Sequence, residues 1–265
     1  MKRVLSAVVF LPLFVVLVRL PSQFFGMLIG AACVLGVLEL YRLAEFRGFH
    51  CNRPAGALLA LAILYSFFVD FRLPLAVPLF AGLAVVPILS LLGRRPLEES
   101  LGSDAVTVFS ALFLATLLGY QLLLRGLGEE VGRDLIFFLY LVVWGGDAAA
   151  YYVGSLLGRH PLSPRVSPRK TVEGALAGVA GSILAALAAR AWFFQPLRAA
   201  DAALAGLLLA AVGILGDLVE SMWKRGSGLK DSASLVPGHG GMLDRCDSLL
   251  FGGPILYYYF LFWLR

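Results

Sequence analysis

Apolar runs of about 20 residues, the length that crosses a hydrocarbon core as helix, recur nine times along this chain, at roughly 4–20, 22–40, 55–70, 73–92, 105–125, 134–157, 173–195, 201–222 and 248–264. Lipid offers no partner for backbone N–H and C=O groups, so spanning segments default to helix. The expected fold class is therefore all-α: a polytopic transmembrane helical bundle of about nine spans. The third run is the shortest. Only Asp70, Phe71 and Arg72 separate it from the fourth, which predicts a tight hairpin. The length of 265 residues alone would suit one or two soluble domains. Composition overrides that, with 60% of residues hydrophobic and 15% charged. The first run follows Met1-Lys2-Arg3, as a signal peptide's would. Its length, and the lack of a small-x-small site before the next run, predict a retained helix, with Arg19 snorkelling at its far end.

Charge counting sets the orientation. With nine spans, 15 of the 22 Lys and Arg residues fall on the side that holds the N-terminus, and 7 on the other. The positive-inside rule puts the N-terminus and the segments 158–174 and 221–247 in the cytoplasm. Two regions follow: 1–133, with about five spans, and 134–265, a catalytic region carrying both polar segments. The net charge of +5 is spread over short loops. It suits membrane lipid headgroups and gives no reason to expect nucleic acid. Cys33, Cys51 and Cys246 show no C-x-x-C spacing, so neither a disulfide framework nor a zinc site is expected.

Ser221 to Asp247 is the polar exception. It holds four cations, three carboxylates, a histidine and five glycines between two apolar runs. Such charge near lipid must pair, bind ions or face water. Lys224, Arg225, Lys230 and Arg245 suit phosphates. Asp217, Glu220, Ser221 and Lys224 have the spacing of one helix face, which also fits a plain Asp–Lys pair at a helix end. Asp217 and Asp244 are candidates to share Mg2+, a cation that takes carboxylate, phosphate and water oxygens. Asp247 is a third candidate, or else an N-cap of the last helix. Asp231 adjoins Lys230. Gly238, Gly240 and Gly241 flank His239 in a tight turn whose backbone N–H groups suit phosphate oxygens. His239 would donate a hydrogen bond there, and no general base is required because a phosphate nucleophile is already ionised. Ser167, Arg169, Lys170 and Thr171 form a second wall of the site, and Glu173 would cap the seventh helix. Asp147, inside the sixth span, is a functional candidate by its depth or a buried structural acceptor. No Walker A, H-E-x-x-H or G-x-S-x-G pattern is present. Residues alone reach metal-assisted phosphoryl or nucleotidyl transfer at the membrane face. A transporter using Asp147 and Asp217 stays open, though the polar cluster lies at one interface rather than at the midplane.

The same residues resemble a known signature. Ser221, Lys224, Arg225, Lys230 and Asp231, then Pro237, Gly238, His239, Gly240, Gly241, Asp244, Arg245 and Asp247, fill every fixed position of S-x-x-K-R-x4-K-D…P-G-H-G-G-x-x-D-R-x-D. That pattern is similar to the signature of the phosphatidate cytidylyltransferases, the CDP-diacylglycerol synthases. Ser167 to Gly174 resembles their S-P-K-K-T-x-E-G element, with Arg169 in place of the first lysine. The resemblance implies an enzyme that uses CTP and phosphatidic acid and releases pyrophosphate. It implies a catalytic Mg2+ at the acidic motif positions, room for a second cation such as K+, and a homodimer. The runner-up is a related lipid-linked nucleotidyl transferase or a CTP-dependent polyprenol kinase, distinguished by product. The motif of the CDP-alcohol phosphotransferases, which consume CDP-diacylglycerol, is missing.

Overall fold

The computed structural model describes residues 2–93, 97–195, 197–229 and 241–264. Nine α-helices occur among them: α1 (Lys2–Arg19), α2 (Ser22–Glu45), α3 (Arg53–Phe68), α4 (Ala76–Leu92), α5 (Ser100–Gly126), α6 (Glu129–Leu157), α7 (Val172–Trp192), α8 (Ala199–Gly226) and α9 (Leu243–Tyr259). Each overlaps one apolar run. Five of them (α2, α5 with the short turn before it, α6, α7 and α8) are long and apolar enough to cross a membrane, by length and composition. Large apolar side chains stay exposed along them, among them Leu101 at 82%, Leu176 at 67% and Trp192 at 79%. A water-facing surface would not carry that many, whereas lipid accommodates them. The chain is a multi-pass membrane protein, nearly all-α.

It is not wholly α. The segment 158–174, expected as a loop, contains an antiparallel hairpin of β1 (Pro161–Ser163) and β2 (Ser167–Thr171). Pro161 pairs with Thr171 and Ser163 with Ser167. The Val166 N–H closes the turn on the Ser163 carbonyl at 3.2 Å.

The chain divides into two compact units. One unit is Met1–Gly126 with Gly226–Asp244; the other is Leu127–Arg225 with Arg245–Arg265. The described residues 226–229 and 241–244 after α8 thus belong to the first unit.

In the first unit, α3 and α5 pack on α2. The Tyr41 hydroxyl donates to the Thr107 carbonyl at 2.8 Å. Gly56 of α3 lies against that hydroxyl, where any Cβ would collide. Asn52 caps α3 by accepting from the Ala55 N–H at 3.2 Å. The reversal between α3 and α4 is as tight as its three-residue length requires: Asp70 and Phe71 both adopt left-handed backbone, φ 49° and 57°. Arg125, the last residue of the fifth apolar run, is 2% exposed in the last turn of α5. It donates to the carbonyls of Val18 at 3.2 Å and Leu20 at 3.0 Å, satisfying acceptors that the end of α1 leaves open.

In the second unit, α6 and α7 approach through small residues. A Cβ on Gly178 would come within 3.1 Å of the Ala150 Cβ, and the Ser182 hydroxyl donates to the Val142 carbonyl at 3.1 Å. Such faces suit helix pairs in lipid, where van der Waals contact replaces the hydrophobic drive. α8 crosses α9 at Gly216, where the Asp247 carbonyl fills the space a Cβ would need.

Candidate active site

The site begins with an uninterrupted α8. Its helical periodicity continues past the apolar run to Gly226, so Asp217, Glu220, Ser221 and Lys224 share a face. The Ser221 hydroxyl donates to Asp217 at 3.4 Å. Lys224 pairs with Glu220 at 3.1 Å, their side chains 12% and 5% exposed. The Asp–Lys pair expected within α8 is therefore rerouted. Lys224 takes Glu220, and the cation of Asp217 is Lys170, which reaches it from β2.

α9 supplies the next carboxylate. The helix starts at Leu243, so Asp247 lies inside it and is not its N-cap; its carboxylate accepts the Ser248 N–H at 2.6 Å. Side-chain oxygens of Asp217, Glu220 and Asp247 all lie within 4.8 Å of one another. Asp147 of α6 interacts electrostatically with Asp217, Lys170 and Asp247. Asp147 also lines a crevice of about 290 Å³ with Val143, Gly146, Ala150, Gly178, Leu209 and Ser248 among its walls. Three carboxylates thus gather beside Lys170 and Lys224, with Asp147 as an acidic neighbour. An excess of acid with hard oxygen donors fits a divalent cation such as Mg2+, and Asp217, Glu220 and Asp247 are the residues that would hold it.

The hairpin is fixed from both ends. Thr171, a candidate substrate contact, is the N-cap of α7, accepting the Gly174 N–H at 3.1 Å. Glu173, expected as the cap, turns back instead. It accepts the backbone N–H groups of Arg159 at 3.1 Å and His160 at 3.2 Å, and pairs with the His160 ring at 2.5 Å. Arg225 donates to the Val166 carbonyl at 3.3 Å, tying the end of α8 to the hairpin turn. Ser167 and Lys170 are half-buried, while Arg169 is exposed.

The first unit holds Gly241 and Asp244 of the signature. Asp244 accepts the Gly241 N–H at 3.3 Å. Glu39 of α2, 1% exposed, accepts the Met242 N–H at 2.7 Å and the Leu243 N–H at 2.9 Å. Arg47 donates to the Gly226 carbonyl. Arg245 opens the second unit's part of α9 and is exposed. Lys230, Asp231, Gly238, His239 and Gly240 lie outside the described residues.

Two of these residues escaped the sequence reading. Glu220 was seen only as a member of the α8 face; its i+3 spacing from Asp217 was the available signal. Glu39, in the apolar run of α2, gave a signal only as a lone carboxylate among apolar neighbours.

Comparison with known proteins now bears on this arrangement. The sequence pattern of the cytidylyltransferase family matches residues 1–263. The chain belongs to the cytidylyltransferase family. A phosphatidate cytidylyltransferase of Synechocystis sp. is 32% identical over 97% of this chain and 95% of its own length. Those of Bacillus subtilis and Pseudomonas aeruginosa are each 35% identical, over 96% of this chain and 94% of theirs. The acidic and basic side chains gathered at α8, α9 and the hairpin are thus those of a cytidylyltransferase-family member matched along nearly its whole length.

Proposed function

We propose that the protein transfers the cytidylyl group of CTP to phosphatidate, giving CDP-diacylglycerol and pyrophosphate for phospholipid synthesis. The observation that carries this reading is the cluster of Asp217, Glu220 and Asp247 beside Lys170 and Lys224, in a chain matched end to end by phosphatidate cytidylyltransferases.

A phosphate oxygen of the lipid attacks the α-phosphorus of CTP. The new P–O bond forms as the bond to the bridging oxygen breaks, and pyrophosphate leaves with the electron pair. No proton need be removed, because the attacking phosphate is already ionised. The residues therefore position and neutralise. Lys224, Arg225, Lys230 and Arg245 balance phosphate charge, and Ser167, Arg169, Lys170 and Thr171 form the second wall. Ser221 orients Asp217 by its hydrogen bond. Asp231, Gly238, His239, Gly240 and Gly241 are further candidates of the signature for substrate binding and catalysis. Asp217, Glu220 and Asp247 would hold Mg2+; Asp147 and Asp244 are further candidate ligands, and a second cation such as K+ would suit an acidic site. Bound Mg2+ supplies charge neutralisation at the phosphate oxygens.

Nine spans, with the N-terminus and both motif segments on the cytoplasmic face of the inner membrane, would bring the site to CTP and the acyl chains to lipid. A homodimer completes the reading.

Pyrophosphate release in detergent, from CTP, phosphatidate and Mg2+, tests it. Release that needs both substrates, with CDP-diacylglycerol formed, is expected. Formation of CDP and a phosphorylated lipid would replace the reading with a kinase. No product from folded protein across lipids and divalent metals would end it.

A further inference from the structure

The hairpin between α6 and α7 is too short to hold itself. Its strands are three and five residues long, and a lone two-stranded hairpin is marginal at best. Pro161, at its base, has no N–H to give the ladder. The Val172 N–H closes the base by donating to the His160 carbonyl at 2.8 Å. The Glu173 side chain closes it from the opposite direction. One carboxylate oxygen accepts the consecutive N–H groups of Arg159 and His160 at 3.1 and 3.2 Å, and the other meets the His160 ring at 2.5 Å. Those two N–H groups lie just past the end of α6, and Glu173 is the second residue of α7, so one side chain joins the end of one helix to the start of the next. Two further ties act away from the base. Arg225 donates to the Val166 carbonyl at the turn, and Lys170 of β2 pairs with Asp217 of the acidic cluster. Lys170 precedes Glu173 by three residues, so the position of its ammonium depends on how firmly the base is held.

We infer that Glu173 is a positioning residue for the acidic cluster: its carboxylate latches the base of the hairpin, and the latched hairpin holds the Lys170 ammonium against Asp217. Held there, the ammonium offsets part of the charge of Asp217, Glu220 and Asp247, and so sets how tightly they take a divalent cation. The dipole of α7 would favour a carboxylate in its first turn in any case. The dipole needs only the charge, however, whereas the latch needs the reach of a glutamate. This rests on the reading of the cluster as a Mg2+ site, but both readouts proceed without turnover.

The test pairs hydrogen exchange with Mg2+ titration, on full-length protein in detergent. Glu173→Ala should speed exchange at Arg159 and His160 about tenfold, the scale of one lost charge-assisted hydrogen bond, while α9 exchanges at the wild-type rate. The Mg2+ midpoint, read from the rise in unfolding temperature that bound metal causes, should fall about two- to fivefold, the scale of a part-exposed ion pair. Lys170→Met should shift it the same way, and in that background Glu173→Ala should shift it no further. Glu173→Asp keeps the charge but is one methylene short, and should behave like Glu173→Ala. Glu173→Gln keeps the reach and one accepting oxygen, and should restore part of both readouts. Wild-type exchange at Arg159 and His160 in Glu173→Ala would overturn the latch. So would a Glu173→Asp variant indistinguishable from wild type, which would leave the dipole as the whole role of the charge. A Mg2+ shift that persists undiminished beside Lys170→Met, or a wild-type protein that Mg2+ does not stabilise, would break the link to the cluster. If Glu173→Ala fails to fold, the Asp and Gln variants decide. Stabilisation by Mg2+ without formation of CDP-diacylglycerol would sink the proposed function and leave the latch standing.

Discussion

Lys170 of β2 forms an ion pair with Asp217 of α8, 47 positions further along the chain. This pair joins the hairpin to the helix that carries the acidic cluster, and places an ammonium beside a carboxylate that clusters with Glu220 and Asp247. Removing either member leaves the other charge half-buried without its partner, which is the costly outcome at such a depth.

Asp217→Asn keeps the shape and the hydrogen bond from Ser221 but removes the charge. Pyrophosphate release should fall about 100-fold or more, the scale of losing one preorganised electrostatic group. Thermal unfolding in detergent should also move down, because Lys170 loses its partner, so turnover is compared on protein that remains folded. A variant with near wild-type turnover would remove Asp217 from the metal site.

Lys170→Met removes the counter-charge. The acidic cluster then becomes more negative, so Mg2+ should bind more tightly even as kcat falls. A titration of activity against Mg2+ reads this as a midpoint at lower metal concentration. A midpoint shifted upward would show that Lys170 supports the metal site by holding Asp217 in place instead.

Gly216→Ala should separate α8 from α9, because the Asp247 carbonyl occupies the position of the new Cβ. Overpacking of this kind costs roughly 1–3 kcal/mol. It should also pull Asp247 away from Asp217 and raise the Mg2+ requirement. Gly226→Ala, where nothing lies within 4 Å, is the control and should leave both unchanged.

Thr171→Ala removes the N-cap of α7 and should cost about 1 kcal/mol of stability, whereas Thr171→Ser should restore it. Should Thr171→Ala lose activity well beyond what its unfolding midpoint explains, the hydroxyl contacts substrate as well as capping the helix.

Chelation gives the last test. EDTA should abolish pyrophosphate release, and Mg2+ should restore it. Glu220→Gln should need more Mg2+ than wild type, since Glu220 completes the cluster with Asp217 and Asp247. An unchanged requirement would leave Glu220 as the partner of Lys224 alone.

What the sequence determined by itself follows from short-range physics. Apolar runs of membrane-crossing length fixed helices, because lipid allows little else. The 3.6-residue period put Asp217, Glu220, Ser221 and Lys224 on one face of α8. Three residues between two runs forced the left-handed reversal at Asp70 and Phe71. Partner choice was another matter. Helical spacing offers Asp217 a lysine seven residues on, yet the chain gives it Lys170 from a hairpin, because ion pairs form with whatever cation packing brings near. The strands themselves were hidden in a polar stretch too short for a visible alternation. Glu39 looked like a stray charge in an apolar helix until the fold returned Met242 and Leu243 to it across more than 200 residues. Local order is written in neighbouring residues. The pairing of buried charges depends on which distant backbone closes over them, and only the tertiary structure decides that.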